Sequence, residues 1–121
     1  MTTTRCVGAS FAIAAVAVLV LAACGASGPP PGSPQALYIN LGCAKCHGPA
    51  LEGQRSGPPL TGLATRWDAA TLTSYLRNPR SFVETNPRLT YLDEQYPIAM
   101  PAYPEPSDED LQKLVDFILG S

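Results

Sequence analysis

The sequence predicts an all-α domain: about three short helices joined by long loops. Apolar residues recur at helical spacing in three separate segments, each bounded by a capping residue or a breaker. No stretch alternates apolar and polar residues between turn signals in the way a half-buried strand does. The 13 prolines and 10 glycines fall largely between the helical segments and leave much of the 121-residue chain as loop. That length holds one domain, because part of it is spent at the N-terminus.

The first element in order is not part of the domain. Met1-Thr-Thr-Thr-Arg5 is a short polar start with one cation, and no charged residue follows until after Cys24. The Ala-rich apolar run from Phe11 to Ala23 ends in small residues, the pattern of a secretory signal over residues 1–23. Leu21-Ala22-Ala23-Cys24-Gly25 resembles a bacterial lipobox, in which Cys24 is lipidated and becomes the new N-terminus. A retained membrane anchor and an ordinary soluble export signal are the alternatives. All three place the domain outside the cytoplasm, and the lipobox reading anchors it to a membrane on the periplasmic or outer surface. Residues 24–34 are then the lipidated Cys and a Pro/Gly/Ser tether with no side chains for a core. The domain proper spans residues 35–121.

The first helix is expected from about Pro34 to His47, with Leu37, Tyr38 and Leu41 on one face, and Gly48-Pro49 stops it. The second runs from about Asp68 to Asn78. Asp68 is its N-cap, Leu72, Tyr75 and Leu76 form its buried stripe, and Pro79 ends it. The third opens at Ser107, and Leu111, Leu114, Val115 and Ile118 line its core face up to Gly120. Three short helices alone make a poor core for a domain of this size.

The cysteines show what supplements it. Of the four, Cys6 lies in the signal and Cys24 in the lipobox, leaving Cys43-Ala44-Lys45-Cys46-His47. Cys-x-x-Cys-His is the attachment signature of c-type haem. On a helix, positions i, i+3 and i+4 share a face. Both thiols can therefore meet the haem vinyls while His47 reaches the iron from the same side. A thioredoxin-like redox pair needs a βαβ context that is not visible, and structural zinc needs four ligands. A simple disulfide is the remaining alternative. One covalent haem c, held by Cys43 and Cys46, supplies the missing apolar surface.

An electron carrier needs a second axial ligand. Met100, followed by Pro101, is the only Met beyond the initiator, and thioether ligation favours the ferrous state. Met100 as core filler is the bland alternative, and Lys45, Lys113 and the tyrosines are weaker ligand candidates.

By these residues, 34–120 resembles class I, mono-haem His/Met cytochromes c of the bacterial lipoprotein type. Gly57-Pro58-Pro59-Leu60-Thr61-Gly62-Leu63 is similar to that family's Gly-Pro-x-Leu-x-Gly loop. The resemblance implies that the Pro58 carbonyl accepts the other N–H of His47 and that Leu60 packs on the haem. Trp67 to Pro79 is similar to the mitochondrial-type Trp…Leu…Tyr-Leu-x-Asn-Pro segment. It implies that Trp67 donates to a haem propionate, that the Tyr75 hydroxyl approaches the Met100 sulfur, and that Arg66 steadies a propionate. A buried carboxylate needs such partners. The chain departs from the pattern in two places. Arg66 and Trp67 are adjacent, which removes an intervening loop and exposes more of one haem edge. The segment Glu84–Ala99 is long, and reads either as a surface loop or as a partner-docking element or cover for the Met side.

The implied function is a membrane-tethered, single-haem electron-transfer protein of an extracytoplasmic respiratory or oxidative chain. It is not an enzyme, it is a monomer, and redox proteins are its donor and acceptor. A dedicated subunit feeding one dehydrogenase or oxidase is a variant of this reading. The other class is a haem enzyme, or a gas or peroxide sensor, with an open or labile sixth iron position. The chain's single His leaves no distal base for a peroxidase. Eight basic against 10 acidic residues, with no basic stripe, argue against nucleic acid. Arg55, Arg66, Arg77, Arg80, Arg88, Lys45 and Lys113 are the cations available around a haem edge, and a weak basic face is expected.

Overall fold

The computed structural model describes residues 28–121. The expected signal, Cys24 and the start of the tether therefore lie outside the described residues. From there on the all-α expectation holds. Six helices and one 3-10 turn form, with no strand among the described residues beyond an isolated bridge between Gln54 and Gly57.

The first expected helix is two. Helix α1 spans Pro34–Asn40 and α2 spans Cys43–His47. Ser33 caps α1, its hydroxyl accepting from the Ala36 N–H at 3.2 Å, and Pro34 opens the helix where no N–H is needed. The break falls at Gly42, whose φ of 82° lies in the left-handed region that side chains with a Cβ avoid. A glycine inside an apparently continuous apolar pattern thus frees the axis of α2 from that of α1.

The turn Leu63–Thr65 precedes α3, which spans Ala69–Arg77, within a residue of expectation at each end. Its cap is Asp68, accepting from the Thr71 N–H at 2.8 Å. Pro79 does not merely stop α3; it is the first residue of α4, Pro79–Val83. The Glu84–Ala99 segment, expected as a loop, contains α5, Pro87–Gln95, capped by the Asn86 side chain on the N–H groups of Arg88 and Leu89. In both cases Pro occupies the first helical turn, where its missing N–H costs nothing.

The last helix, α6, spans Asp108–Leu119 and is capped by Ser107, as the sequence predicts. It packs against both α1 and α3. Leu111, Leu114 and Val115 are almost completely buried, and they meet Tyr38 of α1 and Leu72 and Leu76 of α3. Each such side chain contributes about 1.5–3 kcal/mol relative to exposure. Tyr38 is fixed further by its hydroxyl, which donates to the Gly48 carbonyl at 2.7 Å and so ties α1 to the end of α2. The helical core thereby holds α2 and α3 at two walls of one cavity.

Candidate functional site

That cavity, about 280 Å³, is mostly apolar, and every residue of the expected haem set lines it: Cys43, Cys46, His47, Pro58, Leu60, Arg66, Trp67, Tyr75 and Met100. They come from α2, the loop after it, α3 and the segment before α6, so only the fold brings them together.

His47 closes α2 and is buried, at 7% exposure. Its main chain is held by the Gly53 N–H, which donates to the His47 carbonyl at 2.7 Å. Its ring is held by Nδ1, 2.7 Å from the Pro58 carbonyl oxygen. A carbonyl only accepts, so Nδ1 carries the proton and Nε2 is left with its lone pair. Burial lowers the imidazole pKa, with the Pro58 carbonyl partly offsetting it, which favours the neutral form a metal requires.

Pro58 reaches this position because Gly57 precedes it. A Cβ at Gly57 would lie 2.8 Å from the Cys46 carbonyl oxygen, so only glycine lets the loop lie this close to α2. The loop is tied down by paired backbone bonds between Gln54 and Gly57, and by the Ser56 hydroxyl on the Lys45 carbonyl. Cys43 is buried and Cys46 half-buried, and both are free thiols. Burial pushes the Cys43 thiol pKa up, with the nearby Tyr103 hydroxyl acting in the opposite direction.

Trp67, just before α3, and Tyr75 within it pack with their rings tilted by 57° and centroids 5.1 Å apart, backed by Phe82 at 6.4 and 5.7 Å. Burial, aided by the Asp93 carboxylate, raises the Tyr75 pKa, so its hydroxyl keeps its proton. Arg66 lines the cavity while remaining exposed. Met100 is half-buried, on a segment that makes no backbone–backbone hydrogen bond with any described residue from residue 97 to residue 102.

The comparison with known proteins agrees with this arrangement: a family model described as Cytochrome c matches residues 34–121. The chain belongs to the cytochrome c family. No curated protein and no solved structure matches it.

Cytochromes c bind haem c and transfer electrons. The donor chemistry of this cytochrome c suits that group: two free thiols three residues apart, a neutral imidazole with a free Nε2, and a thioether, all on one apolar cavity. The structure also adds residues that the sequence reading missed. Leu89, Leu92 and Tyr96 of the Glu84–Ala99 segment line the cavity, so that segment is one of its walls rather than a detached surface loop. The two Asn-Pro pairs, Asn78-Pro79 and Asn86-Pro87, were the available signal for the helices there.

Arg77, counted among the candidate docking cations, is spent elsewhere. Its guanidinium donates to the carbonyls of Tyr103, Pro104 and Pro106 and to Asp108. Arg80 and Lys113 are also in ion pairs, with Glu84 and Asp93 and with Glu109 and Asp110 respectively. Among the described residues this leaves Lys45, Arg55, Arg66 and Arg88 without an acidic partner.

Proposed function

We propose that this cytochrome c is a single-haem electron carrier, tethered to a membrane outside the cytoplasm. In this reading Cys43 and Cys46 would hold the haem through thioethers, and His47 and Met100 would ligate its iron. The observation that carries the proposal is the 2.7 Å bond from His47 Nδ1 to the Pro58 carbonyl, which leaves Nε2 free in a cavity shared with both thiols and Met100. Bound there, haem supplies a one-electron iron couple.

The chain's own residues make that couple usable. Pro58 fixes the His47 ring so that one tautomer and one orientation persist. Leu60 and Leu76 exclude water from the cavity, and Trp67 and Arg66 offer an N–H and a cation to the propionates. Tyr75, kept protonated, offers a hydroxyl to the Met100 sulfur. Holding His47 and Met100 in place in both oxidation states would keep reorganisation small. The only His is committed to iron, so no second histidine remains as a base, and the protein acts as a monomeric carrier between redox proteins.

The tether rests on residues 1–34. Cys24 carries the lipid, and the Pro/Gly/Ser stretch holds the domain off the membrane. Among the described residues no helix is long and apolar enough to cross a membrane.

The test is the optical spectrum of the ferric protein, made in cells that attach haem covalently. A weak long-wavelength sulfur-to-iron band that disappears in Met100→Ala is the expected result. High-spin iron without the band would mean an open sixth position and small-molecule chemistry instead. In the same cells Cys24→Ala should move the haem stain from the membrane to the soluble fraction.

A further inference from the structure

The segment carrying Met100 has little structure of its own. From residue 97 to residue 102 its backbone makes no backbone–backbone hydrogen bond with any described residue, and Pro97, Pro101, Pro104 and Pro106 remove four of the N–H donors that a turn would use. Its position is therefore set by its anchors. Upstream it leaves α5 at Tyr96, whose N–H bonds the Leu92 carbonyl at 3.2 Å. Downstream the Tyr103 N–H bonds the Leu76 carbonyl at 2.8 Å, and next to Leu76 stands Arg77.

The Arg77 side chain is 28% exposed, and its guanidinium makes four bonds to one stretch of chain. Nη1 donates to Tyr103 O at 3.0 Å and Pro104 O at 2.8 Å, and Nη2 to Pro106 O at 2.9 Å and Asp108 Oδ1 at 2.8 Å. The planar fork satisfies three carbonyls that the proline-rich stretch cannot pair internally. The Asp108 carboxylate is 99% exposed, so the ion pair contributes little and the carbonyl bonds carry the clamp. Tyr103 lies only three residues beyond Met100, with Pro101 stiffening the span.

We propose that Arg77 is a positioning residue for Met100: by clamping the carbonyls of Tyr103, Pro104 and Pro106 it fixes the loop and sets how readily Met100 leaves the iron. This rests on Met100 being the axial ligand.

The test uses the ferric holoprotein and titrates imidazole, which competes for the sixth position, while the Met100-dependent band is followed. Thermal unfolding is recorded in parallel. Arg77→Ala should give half-displacement at roughly tenfold lower imidazole, the size expected for losing one charge-assisted hydrogen bond. Arg77→Lys keeps the charge but not the fork and should fall between Arg77→Ala and the unchanged protein. Asp108→Asn should match the unchanged protein.

A purely structural role would lower the unfolding temperature and leave the imidazole midpoint where it was, which overturns the proposal. An Asp108→Asn effect as large as that of Arg77→Ala also overturns it, since the ion pair would then be the clamp. If Arg77→Ala does not accumulate with haem, the Arg77→Lys midpoint decides alone: a shift supports the clamp and no shift overturns it. An unchanged protein lacking the Met100-dependent band overturns the ligation reading itself, and the clamp with it.

Discussion

The two sides of the cavity are held in different ways. On the His47 side the fixing bonds are short-range in sequence and redundant: Gly53 to the His47 carbonyl, the His47 ring to Pro58, Leu60 to Leu51, and Tyr38 to Gly48. All lie within residues 38–60. On the Met100 side residues 97–102 make no backbone–backbone hydrogen bond with any described residue; α5 ends just upstream at Tyr96, and the downstream anchors come from α3, through Leu76 and Arg77. One side is built by its own loop and the other by a distant helix. The His47 side should therefore survive perturbations that loosen the Met100 side.

The largest test removes the hold on the His47 side. Replacing both thiols, Cys43→Ser with Cys46→Ser, should abolish haem that stays with the chain on a denaturing gel stained for haem. Haem persisting on that gel would break the covalent assignment. A smaller test strains the same side without touching a ligand. Gly57→Ala drives a methyl against the Cys46 carbonyl and should lower stability by about 1–3 kcal/mol in urea unfolding. The imidazole midpoint at Met100 should not move. If it moves as far as in Arg77→Ala, the two sides are not separable.

The smallest effect concerns the cap of α3, the helix that anchors the Met100 side. The Thr71 N–H and hydroxyl hold the Asp68 carboxyl below the usual carboxylate range. The folded state therefore favours the ionised form. Its contribution is fully present above the ordinary carboxylate pKa and is lost as pH falls through the lowered folded value. Asp68→Asn keeps an acceptor without the charge, so its acid unfolding curve should be slightly flatter over that window. Identical curves would mean that the cap does not couple to pH.

What could be read from the sequence follows the same division. Cys43 to His47 is contiguous, and the Gly57–Leu63 loop follows within a dozen residues, so the chemistry of that side is written locally. The caps Asp68 and Ser107 were legible because an N-cap is a one-residue device with a fixed partner two or three positions on. The break at Gly42 was hidden because the apolar positions on either side continue a helical register. Helices α4 and α5 were missed because Pro79 reads as the stop of α3 and Pro87 as part of a long connecting segment, although each opens a helix. Arg77 could not be told from the other arginines, since its acceptors lie 26 or more positions away and no local pattern marks them.

Helix α6 comes after every other element in chain order, yet Leu111, Leu114 and Val115 form the centre of the core, and α1 docks on it. A chain delivered N-terminus first cannot close until that last stretch arrives. Until then Cys43, which is 5% exposed in the folded state, stands open to the surroundings. The burial of Cys43 is thus a late property of the chain, complete only when the last helix has packed against the first.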